Sequence, residues 1–301
     1  MKIVGFPLVS ILLPVRNEGA YLSQCLGSLL SQRYRNIEIV LCDNCSTDDT
    51  LSMAITYAQL DSRLKICRQP RLVDAYSNLS LCFQESSGEI IFVTGGDDYI
   101  DEDLIERGIE QFLKNSNIFS VVNKLRYFDD SSGVTIQIAP PSEFDSNVHL
   151  DPLPFAIFYS KHIHNDELIL GFFERDLFVR ALRIFQSPNQ PVGWWMVMVI
   201  FMIGKVGGGD CVVLHNTYIH KRCNALYRQK GSGRTPVLQK SKWARQIDTM
   251  RNIGYVHNQI GLLNRSVANK VARHLVIIFT FDFFPDRVKR TVLRLKHFVL
   301  R

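Results

Sequence analysis

The sequence lacks the long apolar run that a membrane-spanning helix requires. Such a helix needs about 18 consecutive apolar residues, but the run at residues 194–203 is too short and the run at residues 275–284 is interrupted by Asp282. The first residues also lack the apolar core and the cleavage-like end of a secretory signal peptide. We therefore predict a cytoplasmic protein without a transmembrane segment.

A disulfide framework is absent as well. The seven cysteines are odd in number and irregularly spaced, a pattern that fits a reducing cytoplasm rather than a secreted, disulfide-rich protein. Cys42 and Cys45 form a C-x-x-C pair, but no second pair of ligands lies near them to complete a zinc site. We interpret both cysteines as small buried residues.

Acidic residues are scarce in the last third of the chain. Residues 205–301 contain 19 lysine and arginine residues but only 4 aspartates, whereas residues 1–204 contain 16 basic and 25 acidic residues. An excess of positive charge attracts anionic lipid surfaces, phosphorylated substrates or nucleic acid. Because no nucleic-acid recognition motif is present, we expect no nucleic-acid partner.

The C-terminal end has the pattern of a basic amphipathic helix. Its apolar stripe and the basic residues around it are Val288, Val292, Leu295, Val299, Lys289, Arg290, Arg294 and Lys296. Two interpretations stay open for this helix. It is either an ordinary surface helix packed on the domain or an attachment to the inner face of the cell membrane.

Four apolar runs alternate with helical patterns in the first hundred residues. The runs predict strands at residues 8–15, 37–42, 64–67 and 89–93. Two helices are predicted at residues 21–30 and 73–85. A third lies between them; Ser46 or Thr47 would cap it, with Asp48 and Asp49 in its first turn. This β-α-β-α-β-α-β order predicts an α/β fold with a mainly parallel sheet and flanking helices.

Three of these strands end in polar loops, at residues 14–18, 43–46 and 95–98. Ligands of open parallel sheets bind beyond the carboxyl ends of the strands, so we predict that the three loops converge on one site. In the third loop, two glycines are followed by Asp97 and Asp98, whose oxygens suit Mg²⁺ or Mn²⁺. The alternative is an Asp-rich turn followed by a helix N-cap.

The pattern changes after a helix predicted at residues 103–114. Residues 119–128 and 134–138 predict a hairpin around a polar turn. Residues 171–176 lead into a helix that ends near residue 185, and residues 194–203 predict a buried helix. A last strand is predicted at residues 212–214, before Lys221 and Arg222, and helices predominate beyond residue 240.

Four segments together resemble the family-two glycosyltransferases. They are SILLPVRNE at residues 10–18, DNCSTDDT at 43–50, SGEII at 87–91 and GDD at 96–98. The resemblance is strong over about residues 8–115. It implies a GT-A fold with a Rossmann-like sheet, a nucleotide-diphosphate-sugar donor, Mg²⁺ or Mn²⁺, and inversion at the anomeric carbon. It also implies a donor-binding half at residues 1–118, an acceptor-side half at 119–225 and a helical basic C-terminal extension at 226–301.

The resemblance assigns donor-binding roles position by position. Pro14, Arg16 and Glu18 would line the nucleobase and ribose pocket. Asp43 would accept a hydrogen bond from the base, which for uracil or thymine comes from the ring N–H. These four residues follow the first two predicted strands.

The diphosphate side involves residues from two distant parts of the chain. Asp97 would lie near the ribose and the metal, and Asp98 would bind the metal that bridges the diphosphate. Lys221 and Arg222 would offset the diphosphate charge. A carboxylate-held cation stabilises the charge that builds on the leaving nucleoside diphosphate.

Two positions depart from the family pattern. Gly95 stands where many relatives have a third aspartate, and the late buried helix begins without the aspartate that inverting members use as a base. The nearest substitutes are Asp166 and Glu167, with His164 as a third candidate because an imidazole titrates near neutrality. The alternative for all three is a solvated loop.

The sequence therefore predicts a glycosyltransferase with a UDP- or dTDP-linked donor and a glycan or polyprenyl-linked acceptor, in surface polysaccharide synthesis at the inner membrane face. The rival interpretation is a non-catalytic GT-A homologue that binds a nucleotide or glycan as a partner subunit. A nucleotidyltransferase would need a Gly-rich basic loop after the first strand, and residues 14–18 are not one. No oligomeric state is predicted.

Overall fold

The computed structural model of the chain describes residues 5–139, 170–184, 204 and 209–222. The strands in these ranges are β1 (Val9–Val15), β2 (Ile37–Asp43), β3 (Leu64–Arg68), β4 (Ile90–Val93), β5 (Tyr99–Ile100), β6 (Ile118–Phe128), β7 (Thr135–Ala139), β8 (Gly171–Glu174) and β9 (Asp210–Arg222). The helices are α1 (Gly19–Leu30), α2 (Thr50–Leu60), α3 (Ala75–Gln84), α4 (Leu104–Lys114) and α5 (Arg175–Ile184).

All the strands belong to one sheet, in the order β3-β2-β1-β4-β8-β6-β9-β5, with β7 paired to β6. In the first half β1 pairs in parallel with β2 and β4, and β2 pairs in parallel with β3. These pairings confirm the predicted parallel arrangement. The strands β2 and β4 are buried along their whole length, which explains why they read as continuous apolar runs rather than alternating ones.

The second half makes the sheet mixed. The strand β8 pairs antiparallel with both β4 and β6, while β9 runs parallel to β6. The predicted hairpin is confirmed, because β6 and β7 pair antiparallel around the turn at residues 129–134. Since β8 connects β4 to β6, the two halves of the chain share one continuous sheet and one core.

The strand β1 runs through Pro14 to Val15, in agreement with the strand predicted at residues 8–15. Leu12 O accepts from Thr94 N on the β4 side, and Pro14 faces that same side two residues later. Because β4 pairs with β1 only as far as Leu12, the missing N–H of Pro14 leaves no ladder hydrogen bond unmade.

The last strand is longer than predicted, because β9 continues from residues 212–214 to Arg222. A register shift in its pairing with β6 and a positive φ of 57° at Asn216 interrupt the regular pattern after Leu214. That irregularity ends the apolar run in the sequence without ending the strand. Lys221 and Arg222 are therefore strand residues and not part of a loop.

No helix in the described ranges is long and apolar enough to cross a membrane. The predicted buried helix at residues 194–203 and the basic C-terminal region lie outside the described residues. The proposed division of the chain at residues 118 and 225 stays a prediction; its first boundary coincides with the start of β6.

Candidate functional site

The three polar loops meet at one edge of the sheet. Asn44 N donates to Val15 O at 2.9 Å, and Asn17 N donates to Ser46 Oγ at 2.9 Å. A Cβ added to Gly96 would lie 2.8 Å from Cγ1 of Val15, so the third loop packs directly on the first. The predicted convergence is confirmed.

The first two loops are joined by the residues that begin α1 and α2. Gly19 N donates to Asp48 Oδ2 at 3.1 Å, and Glu18 N donates to Thr50 Oγ1 at 2.8 Å. Burial tends to raise the pKa of Asp48, but hydrogen bonds from Thr50 and Gly19 outweigh it and lower the pKa. Asp48 therefore lies just before α2, which begins at Thr50, and not in the first turn of the helix as predicted.

Ser46 and Thr47 do not cap α2, contrary to the prediction. The helix begins at Thr50, whose N–H donates to Asp48 Oδ1 at 3.1 Å. Ser46 and Thr47 instead contact Asn17 of the first loop, since Asn17 Oδ1 accepts from Thr47 N at 2.8 Å. Contacts between loops therefore override the local capping preference.

Asp43, at the end of β2, is fully buried. Its two carboxylate oxygens accept from Ser46 N at 3.2 and 3.3 Å, and Arg68 Nε lies 3.6 Å from Oδ2. Arg68 is the register partner of Asp43 at the end of β3. Sequence reasoning missed Arg68 because the register of β3 is not visible in the sequence.

The third loop is a tight turn that brings two carboxylates together. Asp98 N donates to Gly95 O at 3.3 Å, and the buried thiol of Cys25 donates to the same oxygen at 3.4 Å. Burial and the nearby Asp98 and Asp97 carboxylates raise the pKa of Cys25, which keeps the thiol protonated as a donor. The strand β5 separates this turn from α4, which begins only at Leu104, so neither Asp97 nor Asp98 caps that helix.

Gly95 leaves the space into which both carboxylates point. A Cβ at this position would lie 2.8 Å from Asp97 Oδ1 and 3.2 Å from Asp98 Oδ2. The two oxygens therefore lie on the same side of the turn. A third aspartate at residue 95 would have to displace them. The Gly-Gly-Asp-Asp sequence therefore differs from one with three aspartates in where its two carboxylates can lie.

Lys221 reaches this turn from β9. Tyr99 pairs with His220 in the antiparallel pairing of β5 and β9. Asp98, which precedes Tyr99, therefore lies opposite Lys221, which follows His220. Lys221 Nζ lies 2.7 Å from Asp98 Oδ2, and the two side chains are 16% and 0% exposed. This is a buried ion pair at the centre of the candidate site.

Arg222 is held by several groups around the same turn. Its Nε donates to Asp97 O at 3.0 Å, and its other nitrogens contact Asp130 and Gln24. Its guanidinium lies 4.5 Å from the ring centroid of Tyr21. Lys221 and Arg222 were predicted to lie near the diphosphate site, whereas Gln24, Tyr21 and Asp130 were not identified from the sequence.

The remaining predicted residues divide into two groups. Pro14, Arg16 and Glu18 are half-buried in the first loop or at the end of β1, beside the convergence of the loops. The base candidates Asp166, Glu167 and His164 lie outside the described residues. Their role stays a prediction.

The charged residues around the turn at residues 95–98 suit a divalent metal ion that binds together with a phosphate group. Lys221 Nζ lies 2.7 Å from Asp98 Oδ2, and Arg222 contacts Asp97 O and the Asp130 carboxylate, so acidic and basic groups meet at the turn. Within the described ranges, no group of three or more His, Cys, Asp or Glu residues could hold a metal ion. Mg²⁺ is commonly bound by one or two carboxylates together with substrate phosphates, and the Asp97 and Asp98 pair fits that role.

Residues 10–173 match the family model described as Glycosyl transferase family 2. Glycosyltransferase GlyG of Streptococcus pneumoniae serotype 4 is 29% identical over 126 residues, which are 42% of this chain and 42% of that protein. The chain spans about half the length of the curated relatives that it matches.

Solved structures of other proteins share the fold. Residues 1–349 of S. aureus TarS in complex with UDP-GlcNAc superpose with a TM-score of 0.65 at 16% identity, covering 90% of this chain and 72% of that one. GalNAc-T7 with UDP, GalNAc and Mn²⁺ gives a TM-score of 0.53 at 14% identity, covering 72% and 44% of the two chains. At these identities the likeness concerns the fold alone. Since the family model matches more than half of the residues, the chain belongs to glycosyl transferase family 2 and has the α/β GT-A fold that its sequence predicted.

Proposed function

We propose that the chain is a glycosyltransferase that binds a UDP- or dTDP-linked sugar at the carboxyl ends of β1, β2 and β4. One observation supports this most strongly: the buried Asp43, the Asp97 and Asp98 pair, and the basic residues Lys221 and Arg222 lie at the same sheet edge. Family membership supplies the reaction class.

Asp43 is the proposed acceptor for the base. Its oxygens already accept the Ser46 N–H, which fixes the carboxylate, and a carboxylate has capacity for further donors. The ring N–H of uracil or thymine would be such a donor. Pro14, Arg16 and Glu18 would line the base and ribose pocket on the side of the first loop.

The diphosphate is proposed to lie over the Gly95–Asp98 turn. When bound there by Asp98 and Asp97, Mg²⁺ or Mn²⁺ would supply the positive charge that stabilises the leaving nucleoside diphosphate. The Asp97 and Asp98 carboxylates would repel an anionic diphosphate that bound beside them on its own, which supports a cation in the complex. Arg222, anchored at Asp97 O, would contact the phosphates.

The acceptor side is proposed on the sequence alone. A glycan or polyprenyl-linked acceptor at the inner membrane face agrees with the excess of basic residues in residues 205–301. Asp166 or Glu167, with His164 as the third candidate, would deprotonate the acceptor hydroxyl as it attacks the anomeric carbon with inversion.

A thermal-shift panel of nucleoside diphosphates and nucleotide sugars with Mn²⁺ tests the donor site. At a concentration of 100 times its Kd, the preferred donor should stabilise the protein by about 2.7 kcal/mol, which corresponds to a rise in Tm of roughly 5 °C. Asp43→Asn should abolish most of this shift, because the amide offers the base N–H a weaker acceptor and presents donors of its own.

Asp61→Asn is the matched control, since Asp61 forms a half-buried ion pair with Arg63 just after the end of α2 and away from the three loops. It should leave the ligand-induced shift unchanged. If no nucleotide raises the Tm, the proposed donor site is wrong. If nucleotides bind but nucleoside diphosphate is never released from any donor, the partner-subunit interpretation is favoured instead.

A further inference from the structure

The strand β5 joins the Gly95–Asp98 turn to β9 with very little backbone pairing. It contains two residues, and two residue pairs connect it to β9, one of them between Tyr99 and His220. Asp98 and Lys221 flank that pair, and their side chains lie 2.7 Å apart. A shift of β9 along β5 would therefore separate Lys221 from Asp98.

Hydrogen bonds to the Asp101 carboxylate hold β9 in this register. Asp101 follows β5 directly, and its two oxygens accept from two residues of β9: Oδ1 from His220 Nε2 at 2.7 Å and Oδ2 from Tyr218 N at 2.9 Å. Because an ionised carboxylate only accepts hydrogen bonds, His220 Nε2 carries the proton. Asp101 N also donates to Tyr218 O at 3.1 Å. One residue after β5 thus contacts β9 at two positions.

Both partners of the hydrogen bond between His220 and Asp101 are held by other parts of the fold. Asp101 O accepts from Gln32 Nε2 at 2.8 Å, and Gln32 Oε1 accepts from Ile105 N at 3.1 Å, at the start of α4. Gln32 is fully buried. The buried ring of His220 stacks on Tyr99, with the ring centroids 4.3 Å apart and the planes 6° from parallel. His220 therefore contacts the chain before and after Ile100.

We infer that His220 is a positioning residue, whose hydrogen bond to Asp101 fixes the register in which β9 presents Lys221 and Arg222 to the Gly95–Asp98 turn. The two cationic residues follow His220 directly in β9. The inference rests on the proposed function, since it names a residue that aligns the diphosphate side of that site. It assigns His220 no contact with the substrate.

The two sides of the proposed donor site should respond differently when this hydrogen bond is lost. Asp43 lies at the end of β2, which pairs with β1 and β3, so contact with the base should be retained. The diphosphate side depends on β9, because Lys221 contacts Asp98 and Arg222 donates to Asp97 O. The sensitive quantity is therefore the factor by which Mn²⁺ strengthens binding of a nucleoside diphosphate.

Isothermal titration calorimetry of the full chain with UDP, dTDP, GDP and ADP, in Mn²⁺ and in EDTA, measures this factor. His220→Leu removes the hydrogen bond, whereas His220→Gln keeps an amide N–H that can donate to Asp101. Both variants lose the ring, so the hydrogen bond is what separates them. His220→Leu should lower the factor at least about tenfold, because a hydrogen bond to a charged group contributes that much to an equilibrium constant. His220→Gln should stay within about threefold of the wild type.

Two further variants separate positioning from folding. His220→Phe keeps a ring that can stack on Tyr99 but cannot donate to Asp101, so it should lower the factor as His220→Leu does. Thr217→Val is the control, because Thr217 Oγ1 donates from the same strand to Asp103 Oδ1 at 2.8 Å, away from the turn. Thr217→Val should lower the Tm and leave the factor unchanged. Circular dichroism shows which variants are folded.

Failure of the inference shows in the variants. A wild-type factor in folded His220→Leu or His220→Phe would overturn it, and so would an equal loss in His220→Leu and His220→Gln, which would indicate packing of the ring alone. Failure of the proposed function shows in the wild type. If none of the four nucleotides binds it, or if Mn²⁺ does not strengthen their binding, the diphosphate site is wrong and the inference fails with it.

Discussion

Asp98→Asn is expected to reduce donor turnover by about 10²–10³-fold or more. The substitution removes the charge of the carboxylate that would hold the cation on the leaving diphosphate, and losing one electrostatic group of this kind costs a factor of this size. It also removes the charge that lies 2.7 Å from Lys221 Nζ in a largely buried ion pair. We therefore expect the free energy of unfolding to fall by about 3 kcal/mol.

Two measurements separate these effects. Circular dichroism at the assay temperature shows whether the variant is folded, and release of nucleoside diphosphate from a saturating donor gives the turnover. Asp103→Asn is the control, because Asp103 pairs with Arg107 on α4 outside the site and should keep turnover within a few-fold of the wild type. Unchanged turnover in a folded Asp98→Asn protein would rule out the proposed role of this carboxylate.

Glu38→Gln is expected to lower the free energy of unfolding by about 3 kcal/mol at pH 7. Glu38 is buried at the amino end of the sheet and accepts from Ser10 Oγ, Ser87 N and Lys65 Nζ, each at 2.6 Å. Burial tends to raise its pKa, but these hydrogen bonds lower it from 4.5 to about 2. A pKa shift of this size corresponds to about 3 kcal/mol at about 1.4 kcal/mol per unit.

The sign of the shift fixes the pH dependence. Because the pKa of Glu38 is lowered in the folded protein, its contribution to stability is fully present above about pH 4.5 and is lost as the pH falls toward 2. Urea unfolding gives the free energy of unfolding of the wild type and of Glu38→Gln at each pH. The difference between the two proteins should be smaller at pH 3 than at pH 7. Glu110→Gln, which removes an exposed pair with Lys114, should change stability by less than about 1 kcal/mol. An equal difference in the free energy of unfolding at the two pH values would contradict the proposed role of the Glu38 charge.

The sequence was most informative where burial on both faces produced continuous apolar runs. The strands β1, β2 and β4 were predicted on that basis, and the chain order of the predicted strands also placed the three polar loops at one edge. The strand β5 was missed because it contains only two residues. The strand β8 is as long as β4, but it has only two apolar residues where β4 has four. The extension of β9 was missed because its register shift breaks the alternation on which strand prediction depends.

The composition of the site was only partly predictable. Asp43, Asp97 and Asp98 follow directly from the ends of predicted strands. The contact between Asp98 and Lys221 depends on the pairing of β5 with β9, which joins segments about 120 residues apart, and no local pattern encodes that pairing. Arg68 and Gln24 reach the site through strand register and helix orientation, which the sequence does not specify locally.

Hydrogen exchange with and without the most stabilising donor, in the presence of Mn²⁺, tests the central claim most directly. We expect exchange to slow by roughly tenfold or more in peptides covering residues 15–18, 43–46 and 95–98, because bound ligand suppresses local opening. Peptides at the opposite sheet edge, around residues 61–64 and 86–88, should be unchanged. Protection confined to that opposite edge, or located away from all three loops, would contradict the assignment of the donor site.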